Sequence, residues 1–544
     1  MSAVGLNLNS WRLDRVKSLC VFFLLPLLLL PLPSSATSNK KSADPLVHVD
    51  GGTIRGINRA GLLIFKGIPY AQPPVGQLRW RPPQPVRAWT GVRSAAAFGH
   101  DCMQLPTPGD AAPLRTLPSE DCLYVNVWAP QESGGKSLPV MVWIYGGGFV
   151  DGGSSPAVYS GAAFARHGVV FVSFNYRLGR FGFFAFPALD RENPMEGNYA
   201  FMDQIAALRW VRENIAAFGG DPRQVTILGE SAGGMSVSVL LTSPLARGLF
   251  QRAIIESGGG RNNLLRPALL DRPGPRGERS AEQDGIAFAR SMGVQGTDAA
   301  ALAALRRLPA ARIVHGLNMH SMFQQHDIYS GPMVDGKLMA RPAEEIYRQG
   351  KQAPVPLVVG ANSADIGFTS AHSLDQLFAP FGEQANAARA GFHAGPKANF
   401  DQIAQQVGQV EDMLEPARFV ARRMAAIGQP AYQYRFSYIA AAMRKKLKGA
   451  PHSSEIPYVF DTIRESMWSD FGKGITAQDL QVARQVNAYW INFVKTGDPN
   501  GSGLPHWPKI AADGDQLMNF TLHGPAAETD PWKEQLDLVE KVQP

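Results

Sequence analysis

Short β-branched apolar runs alternate along the chain with longer stretches in which apolar residues recur at helical spacing. The runs at residues 124–128, 140–145, 169–175, 225–228 and 253–256 are almost continuously hydrophobic, the pattern of strands covered on both faces by helices. Between the third and fourth, Phe201, Ile205, Leu208, Val211 and Ile215 mark a helix over residues 199–218. Strand and helix in alternation predict an α/β fold, with a central, mostly parallel sheet flanked by helices. Near the start, apolar runs at 46–49 and 53–57 flank Asp50-Gly51-Gly52 and predict a β-hairpin.

Beyond Ser257 the pattern loosens into Gly258-Gly259-Gly260-Arg261 and a Pro/Arg/Gly-rich stretch around 272–279. Helical spacing returns near 281–292 and 299–305, and the next strand-like run is 355–360. An insertion is therefore expected over about 258–350. A second, helical one is expected over about 370–430, before a late strand at 432–436 and a long helix at 477–495. Such excursions from a rigid scaffold line pockets and carry specificity.

Composition refines this picture. A chain of 544 residues, 45% hydrophobic and 18% charged, can bury a large core, and one catalytic domain over 37–544 is expected. Residues 1–36 carry Arg12, Arg15 and Lys17, then a Leu-rich run, then Ser34-Ser35-Ala36. That is the layout of a signal peptide cleaved near Ala36, which predicts a secreted or periplasmic protein. No later segment has the apolar length of a membrane span. Export leaves Cys102 and Cys122, which an oxidising compartment would pair. The formal charge of +7 is carried by scattered basic residues instead of a stripe, which argues against nucleic acid and for neutral or anionic small molecules.

The candidate chemistry centres on Gly229-Glu230-Ser231-Ala232-Gly233. A Gly-x-Ser-x-Gly string means little alone, but here a strand precedes it and a helix can start at Ala232. That context is the nucleophile turn of an α/β-hydrolase fold, with Ser231 as nucleophile. Tyr145-Gly146-Gly147-Gly148-Phe149 follows another strand. The N–H groups of Gly147 and Gly148, with that of Ala232, are the expected oxyanion donors.

Several separated stretches, taken together, resemble the type-B carboxylesterases, the family of cholinesterases and bacterial para-nitrobenzyl esterases. They are Phe65-Lys66-Gly67-Ile68-Pro69-Tyr70-Ala71, Glu120-Asp121-Cys122-Leu123-Tyr124-Val125-Asn126, Phe218-Gly219-Gly220-Asp221-Pro222 running on to the Ser231 turn, and Pro451-His452-Ser453-Ser454-Glu455. The resemblance implies His452 as general base and Glu230 and Ser257 as hydrogen-bonding supports of the site. It implies the acid through register: the family's Asp-Glu-Gly after a Val-Gly strand aligns with Ala364-Asp365-Ile366, so Asp365 stands where the family has Glu. Aspartate is one methylene shorter, so backbone or histidine must approach more closely. Asp335 is the main rival. The implied reaction is acyl transfer through a Ser231 acyl-enzyme, with no metal and no cofactor required. A catalytically silent, cholinesterase-related binding protein is the alternative, and such proteins lose the nucleophile that Ser231 supplies here. Cholinesterases hold their cationic substrate on a tryptophan inside the first disulfide loop; none lies between Cys102 and Cys122. Choline esters are thus disfavoured, and the layout resembles bacterial relatives that remove polycarboxylate side chains from fumonisin-type toxins.

Overall fold

The computed structural model describes residues 44–106, 112–194, 196–261, 266–465 and 474–543; the leader expected over 1–36 lies outside them. The chain opens with the expected hairpin, β1 (Leu46–Val49) antiparallel to β2 (Gly52–Arg55). Next come β3 (Ile57–Arg59), β4 (Leu62–Pro69) and β5 (Val92–Ser94), the last pairing with β2 in a small sheet of three strands.

The remaining long strands join β3 and β4 in one sheet of eleven. They are β6 (Tyr124–Pro130), β7 (Leu138–Ile144), β8 (Val170–Phe174), β9 (Gly220–Glu230) and β10 (Arg252–Glu256). After a short parallel pair, β11 (Ala268–Leu269) and β12 (Met333–Val334), come β13 (Leu357–Asn362), β14 (Ala431–Phe436), β15 (Gln516–Thr521) and β16 (Gly524–Thr529). Across the sheet the order is β16-β15-β14-β13-β10-β9-β7-β8-β6-β4-β3. Neighbours from β8 to β15 run parallel and the outer pairs antiparallel, as the α/β-hydrolase expectation requires.

Apolar continuity explains the centre. Val140–Ile144 of β7 and every residue of β8 are buried, because helices cover both faces. Helix Tyr199–Asn214 buries Phe201, Ile205, Leu208 and Val211, the residues its spacing predicted. Helix Ala477–Thr496 buries Val486, Trp490 and Phe493, starts at a Thr476/Asp479 capping box and stops at left-handed Gly497. No helix among the described residues is long and apolar enough to cross a membrane.

The long excursions form cores of their own. Phe288, Leu302 and Leu305, between β10 and β13, pack with Trp80, Phe184 and Phe186. Phe378, Phe392 and Leu414, between β13 and β14, pack with Leu536 and Val539 of the terminal helix Lys533–Val542. Half-exposed Phe323 and Phe368, one from each excursion, meet with ring centroids 5.1 Å apart. Cys102 and Cys122 form a buried disulfide. The loops leaving β7, β9, β10, β13 and β14 begin at the carboxyl ends of adjacent parallel strands, where open α/β sheets bind ligands.

Candidate active site

Ser231 sits on the turn between β9 and helix Ala232–Thr242 with φ 56° and ψ −124°. A side chain at positive φ costs about 1–3 kcal/mol and persists only where its surroundings fix it. Here the Ser231 N–H donates to the Glu256 carbonyl of β10 at 2.9 Å, and the Met235 N–H returns to the Ser231 carbonyl. The loop after β7 lies directly against this turn. A Cβ on Gly146 would stand 2.9 Å from Ser231 Cβ and 2.7 Å from the Glu230 carbonyl oxygen; one on Gly233 would stand 2.0 Å from the Ile144 carbonyl oxygen. The glycines follow from this approach of two backbones.

Gly147 accepts from the Val150 and Asp151 N–H groups, which turns the loop. No backbone hydrogen bond takes up the N–H of Gly147 or Gly148 among the described residues. Ala232, the first residue of its helix, is buried, and its N–H belongs to the helix end that has no intrahelical acceptor.

Asp365 follows β13 and is fully buried. Its Oδ1 lies 2.5 Å from His452 Nδ1 and accepts from the Ile366 N–H at 2.9 Å; its Oδ2 accepts from Ser257 Oγ at 2.7 Å and the Asn362 N–H at 2.8 Å. Burial acts to raise its pKa, but the His452 charge and these donors together hold it below the usual carboxylate value. The short side chain reaches the imidazole because the two loops are laced together. Ala364 N–H donates to the Ala450 carbonyl at 2.9 Å, Ala450 N–H to Ser363 Oγ at 3.0 Å, and Asn362 Nδ2 to the Pro451 carbonyl at 2.7 Å. Asp335 does other work. It accepts the Lys337, Leu338 and Met339 N–H groups and Asn198 Nδ2, closing a turn.

Glu230 stands closer to the chemistry than a remote support. Its Oε1 accepts from Ser453 Oγ at 2.6 Å and lies 3.2 Å from His452 Nε2. The imidazole thus bridges two buried carboxylates, and no hydrogen bond joins Ser231 Oγ to His452 in this state. Burial acts to lower the His452 pKa, yet the charges of Glu230 and Asp365 prevail and push it up to about 10. Burial raises the Glu230 carboxyl, against the pull of His452 and Ser453. Glu455, bonded to Asn362 Nδ2, is raised to about 8 by burial and by Glu230. Sequence reasoning did not single out Ser453, Asn362 or Glu455. The first and last lie inside the stretch quoted for His452, and a polar Asn362 ending an apolar strand was the available signal.

Comparison with known proteins identifies the family. The carboxylesterase family model matches residues 43–392 and 394–539. The chain is 36% identical over 495 residues to fumonisin B1 esterase of Sphingopyxis macrogoltabida, covering 87% of this chain and 86% of that one. It is 34% identical over 526 residues to carboxylesterase 1E of Mus musculus, covering 87% and 90%. Among solved structures, a PNB esterase aligns with TM-score 0.76 at 31% identity, covering 91% of this chain and 99% of that one. A Geobacillus stearothermophilus carboxylesterase aligns with TM-score 0.74 at 32% identity and the same coverage. The chain belongs to the carboxylesterase family and is a carboxylic ester hydrolase on an α/β-hydrolase fold.

Proposed function

We propose that Ser231 is the nucleophile, His452 the general base and Asp365 the acid that orients it. The observation that carries this reading is the 2.5 Å contact between Asp365 and His452 beside the Ser231 turn. His452 takes the Ser231 hydroxyl proton as Oγ attacks the ester carbonyl, then returns it to the departing alkoxide. A water, deprotonated by the same imidazole, releases the carboxylate from the acyl-enzyme. The N–H groups of Gly147, Gly148 and Ala232 stabilise the oxyanion in both steps. To act as base, His452 must be neutral and its Nε2 must exchange Glu230 for Ser231, so activity is expected to rise with pH toward the raised His452 value.

For the substrate we infer an anionic ester of the polycarboxylate type. The identity to a fumonisin B1 esterase supports it, as does the basic balance of the sequence, which residues 1–36 supply only in part. We further read residues 1–36 as a removed signal peptide and 37–544 as one hydrolase domain, with 258–350 and 370–430 as insertions. The decisive experiment is covalent labelling with an organophosphate followed by peptide mapping, together with turnover of a tricarballylate ester against para-nitrophenyl esters. The label is expected on Ser231. Asp365→Asn is expected to lower kcat by about 10⁴, as where an Asp fixes the histidine tautomer. A label elsewhere, or a near-wild-type Asp365→Asn, overturns the assignment; preference for the neutral esters overturns the substrate class.

A further inference from the structure

A cleft of about 1130 Å³ lies outside the chemistry described above: Ser231, Asp365, His452, Gly147 and Gly148 are absent from its walls. Six cations line it, Arg59, Lys66, Arg115, Arg166, Arg464 and Arg484, against two carboxylates, Asp461 and Glu465. Among the described residues none of the six side chains has an ion pair or a side-chain hydrogen bond; residues 107–111 and 466–473, adjacent in sequence to two of the walls, lie outside those described. Several arginines elsewhere are matched with acids, as Arg79 is with Glu120, Arg177 with Asp203 and Arg261 with Glu415. Among the described residues the cleft therefore gathers more positive than negative charge.

Five of the six cations fall into two groups. Lys66 is half-buried, its ammonium 4.2 Å from the centre of the Phe98 ring and 5.7 Å from that of Trp128. Burial lowers its pKa first, and the charges of Arg115 and Arg59 lower it further, so these three repel one another. Asp461, by contrast, is in the field of Arg484, His167 and Arg166 and offsets part of the second group. Between them Leu62, Ile64 and Val158 give the walls an apolar component. Concave low-dielectric walls carrying one sign of charge concentrate counter-ions, and guanidinium groups match carboxylates in shape. A flat lipid surface does not fit a concave site; a small solute does.

We propose that this cleft binds a small organic anion bearing more than one carboxylate, at a site separate from ester hydrolysis. The occupant bridges the Arg59, Lys66 and Arg115 group and the Arg166 and Arg484 group, with its hydrocarbon stem against the apolar wall. Carboxylates are the anions that ester hydrolysis itself releases, so the site meets them at every turnover.

The test is calorimetric titration of the full chain with tricarballylate, and with inorganic phosphate at equal ionic strength. Saturable tricarballylate binding is expected, weakened about tenfold for each charge-assisted contact removed in Arg59→Gln and Arg115→Gln. Both residues are exposed, and turnover of a small neutral ester is expected to stay at the wild-type rate in both variants. Arg59→Lys with Arg115→Lys retains the charge but loses the guanidinium fork, and is expected to bind more weakly than wild type and more tightly than the Gln variants. Absence of saturable binding, binding unchanged in the Gln variants, or equal binding of inorganic phosphate overturns the proposal.

Discussion

Replacing Glu230 with glutamine isolates the electrostatic hold on His452. Glutamine keeps an oxygen for Ser453 Oγ but removes the charge 3.2 Å from Nε2. At that distance a full charge pair is worth about 1.3 kcal/mol at the dielectric of water and about 5 kcal/mol at an effective value of ~20. With about 1.36 kcal/mol per pH unit, these limits correspond to roughly one to four pH units. Burial acts against the charged form of Glu230, which favours the lower end. The sign is fixed: the carboxylate stabilises imidazolium, so its loss lowers the His452 pKa from about 10. Only neutral imidazole accepts the Ser231 proton, and kcat/KM reports the free enzyme. In the wild type kcat/KM is therefore expected to keep rising well above pH 6.5. In Glu230→Gln the rising limb is expected about one to two pH units lower, given the Coulomb limits above. A pH-stat assay measures this without dependence on a chromophore that itself titrates. A limb that stays in place or moves to higher pH refutes the reasoning.

Ser257→Ala removes one of the two donors to Asp365 Oδ2, and at about 1.5–3 kcal/mol for a hydrogen bond to a charge kcat is expected to fall by roughly tenfold or more with KM little changed; an unchanged kcat assigns Ser257 to packing alone. The His452 pKa lies above the unfolded value of 6.5. Stability from its two carboxylate contacts is thus complete below pH 6.5 and lost as pH rises through about 10, which thermal unfolding across that window measures. Replacing Cys102 and Cys122 by serine opens a loop with separation 20 and is expected to cost about 3 kcal/mol in the chain-entropy model, read by denaturant unfolding.

The Ser231 turn was legible because its constraint is local. Gly146 and Gly233 are dictated by carbonyls and Cβ atoms a few ångströms away, so strand, glycine and helix start appear side by side in the sequence. The buried strands were legible for the same reason, each being an apolar run. What escaped is either non-local or half-exposed. The approach of Glu230 to His452 depends on a Ser453 contact across 223 residues, which no window of sequence contains. β16 is largely half-exposed or exposed, so it has no apolar run to reveal it. β9 begins at Gly220, before its apolar stretch, because Gly220 pairs with Leu138 across a bulge. Asp365 was found only through register with other proteins. Its reach to the imidazole rests on the lacing of Asn362, Ser363 and Ala364 to the His452 loop.

That lacing also bears on when the enzyme comes into being. The carboxylate meets the imidazole across 87 residues and Ser257 across 108, through β13 and β14, whose parallel pairing needs long loops to close first. Contacts of such separation form late and slowly. On the proposed triad, a chain still emerging from the ribosome can contain the Ser231 turn yet lack His452, so activity is expected only once the chain extends past that residue. Under that assignment the order of the sequence itself is expected to delay catalysis until late in folding.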